Sequence, residues 1–155
     1  MNFAKAIFPE KGTVLGPYSP AIKLSDFVFL SGQIPADPET GNIESEDIRQ
    51  QTHQSLQNII AILQQLGLET RHIVKTTVFL TDMNNFAAMN EVYATYFEEP
   101  FPARSCVQVG ALPKGAKVEI ECIAIDTLPY EQRACCQSSD CCQGSDCEGC
   151  EGCGE

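Results

Sequence analysis

Basic residues are scarce in this 155-residue sequence: 10 Lys and Arg stand against 21 Asp and Glu, a formal net charge of -11. Nothing resembles the clustered Lys and Arg that phosphate contacts require, so nucleic acid is not an expected partner and an anionic membrane surface is disfavoured. Long apolar runs are missing as well. No segment reaches the roughly 18 apolar residues of a membrane span, and Met1-Asn2-Phe3-Ala4-Lys5-Ala6 lacks the apolar stretch of a secretory signal. A cytoplasmic protein with no membrane partner is expected. Histidine is nearly absent, with only His53 and His72, read as a helix-surface and a loop residue rather than as bases.

What is present is unevenly placed. Residues 1–129 hold 9 basic and 15 acidic residues, a charge of -6, whereas residues 130–155 hold 1 and 6, a charge of -5. The nine cysteines divide the same way. Cys106 and Cys122 lie in apolar, strand-like segments, where cysteine behaves as a small hydrophobe. The other seven, Cys135, Cys136, Cys141, Cys142, Cys147, Cys150 and Cys153, crowd the last residues. The chain therefore reads as one domain over 1–129, of a size that supports a core, followed by an acidic Cys-rich tail over 130–155. The tail has almost nothing apolar to bury and is expected to lack fixed structure without a ligand.

Within the domain, Ala21 to Leu24 and Phe27 to Ser31 are β-prone runs around Ser25-Asp26, a hairpin running into Gly32-Gln33-Ile34-Pro35. Ile48, Leu56, Ile59, Ile60, Leu63 and Leu66 recur at helical spacing, with Asp47 and Gln50 as a capping box and Gly67 as the C-terminal cap. Ile73 to Leu80 is β-branched and reads as a buried strand. A second helix over about Phe86 to Phe97 places Phe86, Met89, Tyr93, Tyr96 and Phe97 on its inner stripe, and Pro100 and Pro102 stop it. Ala103 to Val109 and Lys117 to Asp126 read as two further strands. The order ββαβαββ predicts an α+β fold with two helices on one face of a mixed sheet. No further helix remains to cover the other face, so another copy of the chain is its expected cover.

Alternation along the strands puts Arg104, Cys106 and Gln108 on one face, and sets Glu119 and Glu121 opposite Val118, Ile120 and Cys122. Paired antiparallel, the last two strands would bring Arg104 and Glu119 to the same end. A guanidinium suits a planar carboxylate, because its fork makes two parallel hydrogen bonds and stays charged. A nearby glutamate can position a water or pass a proton. The same two residues also fit a surface cross-strand ion pair worth about 1 kcal/mol at most, and spacing leaves both readings open.

Pro102-Ala103-Arg104-Ser105-Cys106-Val107, followed by Leu112-Pro113 and Val118-Glu119-Ile120-Glu121, resembles the signature of the Rid (reactive intermediate deaminase, YjgF-like) family. Gly16-Pro17-Tyr18-Ser19-Pro20, Ser31-Gly32-Gln33-Ile34-Pro35 and Val74-Lys75-Thr76-Thr77-Val78-Phe79-Leu80 resemble its other segments in the same order. The likeness runs from about Ala6 to Asp126. It implies chorismate-mutase-like subunits in a homotrimer whose sheets form a central barrel, with sites in the clefts between subunits. Members of the RidA subgroup act on small-molecule substrates: they hydrolyse 2-imino acids such as 2-iminobutanoate and 2-iminopropanoate to 2-oxo acids and ammonia, with no cofactor. Carried over residue by residue, Arg104 would clamp the substrate carboxylate and Glu119 would activate the attacking water. Cys106 would act through its backbone rather than as a nucleophile, and Tyr18 would close the pocket. Ser31 and Gly32 would line it with hydroxyl and backbone donors, and Asn90 would reach in from the second helix.

The residues alone also allow a packed loop aromatic at Tyr18, a strand end at Ser31-Gly32 and a solvated helix residue at Asn90. No metal site is expected in the domain. The seven tail thiols, at close spacing beside carboxylates, suit a soft metal, an inert redox-sensitive tail or a peptide tag. The alternative to a deaminase is a non-catalytic member of the fold, binding small anions or another protein, with a thiol- or metal-binding tail.

Overall fold

The computed structural model describes residues 4–11, 14 and 16–131. The seven tail cysteines lie outside the described residues. Six strands, β1 (Lys5–Ile7), β2 (Ala21–Leu24), β3 (Phe27–Gln33), β4 (Ile73–Leu80), β5 (Ala103–Gln108) and β6 (Val118–Ile125), are joined by helices α1 (Ile48–Gln64) and α2 (Phe86–Tyr93). The expected strands are present, and β1, too short for a sequence pattern, adds an edge.

The β2–β3 hairpin closes on the two-residue loop Ser25-Asp26. Ser25 takes a φ of 53°, a positive value of the kind that tight hairpin loops need to match the twist of their strands. Helix α1 starts where Asp47 accepts a hydrogen bond from the Arg49 backbone N–H at 2.6 Å; Gln50 makes no reciprocal bond among the described residues, so the cap is single. At its end Gly67, at a φ of 69°, lets the Leu68 N–H reach the Leu63 carbonyl at 3.0 Å and its own N–H reach the Gln64 carbonyl at 3.0 Å. Those two bonds are a Schellman closure, and the left-handed residue favours glycine.

The sheet order is β1-β2-β3-β6-β4-β5. β4 and β5 run parallel, joined across α2, while the other neighbours are antiparallel. The last strand thus inserts between β3 and β4, a split β-α-β arrangement. This overturns the expected β5–β6 pairing: consecutive strands usually neighbour one another, but here β4 separates them.

Both helices cover one face. Leu56, Ile59 and Leu63 of α1 and Met89 of α2 are buried against Val28, Val78 and Ile120 of the sheet. The helical conformation after Tyr93 tightens into a 3-10 turn over Ala94–Tyr96, and one residue of the expected stripe differs: Phe86 is 36% exposed. Tyr96 packs against the core as expected, with its hydroxyl bonded to His53 and Gln57. His53 lies on the helix surface as expected, but His72 is 2% exposed, with Nδ1 accepting the Glu69 N–H at 2.9 Å.

The opposite face is open and apolar. Phe27, Phe29 and Val107 are 50%, 43% and 42% exposed there, and the rings of Phe27 and Phe29 stack at 6.1 Å. After β6 a helical turn spans residues 128–131.

Candidate active site

One half of the site is built on β3 and β6. Between Leu30 and Gln33 the β3–β6 register gains one residue on the β3 side, a bulge of the kind that re-aims side chains at functional sites. Glu119 lies two residues before Glu121, which falls opposite the bulge, and pairs with Phe79 on β4. Its carboxylate lies over Gly32: a Cβ there would fall 1.8 Å from Oε1 and 2.7 Å from Cδ. Only glycine admits this approach. Half-burial raises the Glu119 pKa above the usual glutamate range, with the neighbouring Glu121 charge adding to the effect.

Ser31 fastens the adjoining loop. Its hydroxyl donates to the Ser19 carbonyl at 2.7 Å, and its N–H donates to the Pro20 carbonyl at 2.9 Å. Both of its donors are therefore engaged, and Ser31 holds the Tyr18 segment in place instead of offering a free donor. Tyr18 is 48% exposed and joins Ser31, Gly32 and Glu119 in lining a cleft of about 700 Å³.

The second half is on β5 and α2. Arg104 pairs with Thr76 of β4 and extends on the helix side, where its guanidinium carbon lies 4.6 Å from the Tyr93 ring centroid and 5.7 Å from that of Phe86. Stacking on a ring face holds the guanidinium plane and leaves its N–H edge for a ligand. The Tyr93 hydroxyl, hydrogen-bonded to Thr76 Oγ1 at 2.7 Å, fixes that ring in turn. Met83, Phe86, Arg104 and Cys106 line an open depression. Burial pushes the Cys106 thiol up, against the weaker opposing pull of Arg104, which disfavours a thiolate nucleophile. Asn90 lies four residues after Phe86 and three before Tyr93, on the same helix face. Its Oδ1 is buried and accepts no hydrogen bond among the described residues.

Within one chain the expected residues thus form two groups. Thr76, the partner of Arg104, is buried under the helices, whereas Phe79, the partner of Glu119, alternates with buried Val78 and Leu80 onto the open face. Arg104 and Glu119 therefore point to opposite sides of the sheet with β4 between them. Neither makes an ion pair among the described residues, so the surface cross-strand pair allowed by the sequence is not formed.

Three residues that carry the geometry escape sequence reasoning in that role. Phe86 and Tyr93 fit a core stripe, because a ring that orients a cation has the same helical spacing as one that fills a core. Gln51 is 1% exposed, donates to the Ser45 carbonyl at 2.7 Å and accepts the Lys117 N–H at 2.8 Å. It fixes the start of β6 two residues before Glu119, a role no local pattern marks.

Comparison with known proteins agrees with this frame. Residues 10–126 match the family described as endoribonuclease L-PSP. The 2-iminobutanoate/2-iminopropanoate deaminase of Salmonella typhimurium is 50% identical over 126 residues, covering 79% of this chain and 98% of that protein. Among solved structures, a Rid-family protein, YyfA of Yersinia pestis, superposes with a TM-score of 0.76 at 48% identity, over 79% of this chain and 98% of its own. Escherichia coli TdcF, solved with bound serine, superposes with a TM-score of 0.73 at 46% identity, over 78% and 98%. The chain belongs to the YjgF/Rid family, whose description is endoribonuclease L-PSP.

Proposed function

We propose that the protein hydrolyses 2-imino acids, with 2-iminobutanoate and 2-iminopropanoate as the reference substrates, to 2-oxo acids and ammonia. The observation that carries this reading is the pair of uncompensated charges. Arg104 is oriented by two rings and Glu119 is half-buried over a glycine, and neither has an ion-pair partner among the described residues. Each is prepared for something the single chain does not supply.

Arg104 takes the substrate carboxylate through two parallel N–H bonds. Glu119 takes a proton from a water as the water oxygen bonds to the imine carbon, and passes it to the nitrogen that receives the C=N electron pair. The resulting carbinolamine collapses: Glu119 takes the hydroxyl proton as the C=O bond forms and gives it to the nitrogen as the C–N bond breaks and ammonia leaves. A glutamate with a raised pKa suits both transfers. Tyr18 closes the cleft over the reacting carbon, and Asn90 offers its buried oxygen to the substrate imine N–H.

Because the two groups point to opposite sides of the sheet, a complete site draws Arg104 from one copy and Glu119 from another. The open apolar face supplies the contact, and the reading is a homotrimer with sites between subunits. Against RNA as the substrate, which the family description raises, stands the scarcity of basic residues.

The test couples a threonine dehydratase to the purified protein and follows 2-oxobutanoate release. The wild type is expected to accelerate release, and Arg104→Ala to lose about 3 kcal/mol of transition-state stabilisation, roughly a hundredfold in kcat/KM. No acceleration by the wild type would leave only a non-catalytic binder.

A further inference from the structure

Arg104 is the only charged side chain lining its depression, a space of about 400 Å³ that it shares with Met83, Phe86 and Cys106. Met83 and Phe86 are 40% and 36% exposed. Burial pushes the Cys106 thiol up, so it stays uncharged at neutral pH. The surroundings of the cation in this depression are therefore apolar or neutral. They lie on the helix side of the sheet, apart from the open face that Phe27 and Phe29 mark.

Met83 stands on a fixed root. It begins the 3-10 turn Met83–Asn85 between β4 and α2. Its N–H donates to Gln108 Oε1 at 2.9 Å, and the Asn84 N–H donates to Asp82 Oδ1 at 2.9 Å. Gln108 is the last residue of β5, the strand that carries Arg104, so the turn and the guanidinium are tied to one strand. Above this root the side chain is an unbranched thioether, which adapts to the shape of what it touches.

We propose that Met83 is a specificity-determining residue: with Phe86 it forms the wall that takes the side chain of the substrate, and it selects acids whose side chains are apolar and longer than those of the reference substrates. This rests on the reading of Arg104 as the carboxylate clamp. In a 2-imino acid the side chain and the carboxylate are both bonded to the imine carbon, so the first side-chain carbon is two bonds from the carboxylate carbon. With the carboxylate on Arg104, that side chain starts in the depression, where the other lining surfaces are Met83, Phe86 and Cys106. An alkyl chain laid on them removes apolar area of both partners from water, and binding tightens with each methylene. A charged side chain loses hydration and finds no second cation in the lining. Phe86 also orients Arg104, so a change there would disturb clamp and wall together. Met83 has no ring to offer the guanidinium, and a change there reads the wall alone.

The experiment measures, by calorimetry, binding of the straight-chain 2-oxo acids from 2-oxopropanoate to 2-oxohexanoate, with 2-oxoglutarate as the charged counterpart of 2-oxopentanoate. On the wild type, affinity is expected to rise about threefold per methylene, and 2-oxoglutarate to bind about tenfold more weakly than 2-oxopentanoate. Met83→Ala, at an exposed position, should keep the melting temperature and cut the gain to about 1.5-fold per methylene. Met83→Leu, which keeps an apolar side chain of similar volume, should recover most of it. Binding of these acids needs no catalysis, so failure of the imine reading would show as absent hydrolysis with the chain-length preference intact. A wild-type series with no gain per methylene, an undiminished gain in Met83→Ala, or no binding of any 2-oxo acid would overturn the proposal.

Discussion

Glu119 can rest on β3 only because residue 32 has no side chain. In Gly32→Ala the new Cβ meets Glu119 Oε1, the movable end of a flexible side chain, so the carboxylate swings aside while the fold persists. The expected result is a loss of about a hundredfold in kcat with an unchanged melting temperature, because displacing a catalytic group by about 1 Å costs that much. Imine hydrolysis and thermal denaturation, measured on the same sample, check both halves. The raised Glu119 pKa sets the acid side of the pH profile. Protonated, Glu119 cannot take a proton from water, so kcat/KM should fall as pH drops through a midpoint above the ordinary glutamate value of about 4.3. Glu119→Gln should remove that limb together with most of the rate; a limb that survives the substitution would assign the base elsewhere.

Among the elements, β6 carries the most consequence, since its place beside β3 lets the Glu119 carboxylate rest on Gly32 of the bulge. Its first residues are held by a side chain of α1, and Gln51→Ala would leave the part-buried Lys117 N–H and Ser45 carbonyl without these partners. A loss of about 1–3 kcal/mol in denaturant unfolding is expected, with a further fall in kcat as the start of β6 loosens. The faces of these strands are legible in the sequence: alternation places Arg104 with Cys106, and Glu119 with Glu121, as the structure does. The neighbours are not. Alternation has a period of two whatever strand lies alongside, and nothing within residues 103–125 records that β4 comes between β5 and β6. The helices are legible by spacing and caps, yet spacing cannot tell that Phe86 and Tyr93 face a guanidinium. Family motifs name the site residues in order along the chain; they cannot show that one chain divides them between two sides of its sheet.

For the whole molecule, that division is the central fact. Phe27, Phe29 and Val107 are exposed on the open face, and the proposed assembly would place a second copy there, supplying to Arg104 and Glu119 the group that each lacks within one chain. The most direct test joins two inactive variants, Arg104→Ala and Glu119→Gln, in one assembly by co-expression and purification on two different tags, with imine hydrolysis as the readout. If each site takes its arginine from one subunit and its glutamate from the next, every mixed trimer that carries both tags has one of its three sites with both intact groups, and about a third of wild-type activity returns. A mixed assembly no more active than either variant alone would mean that Arg104 and Glu119 of the same chain serve the same site, and would contradict the account.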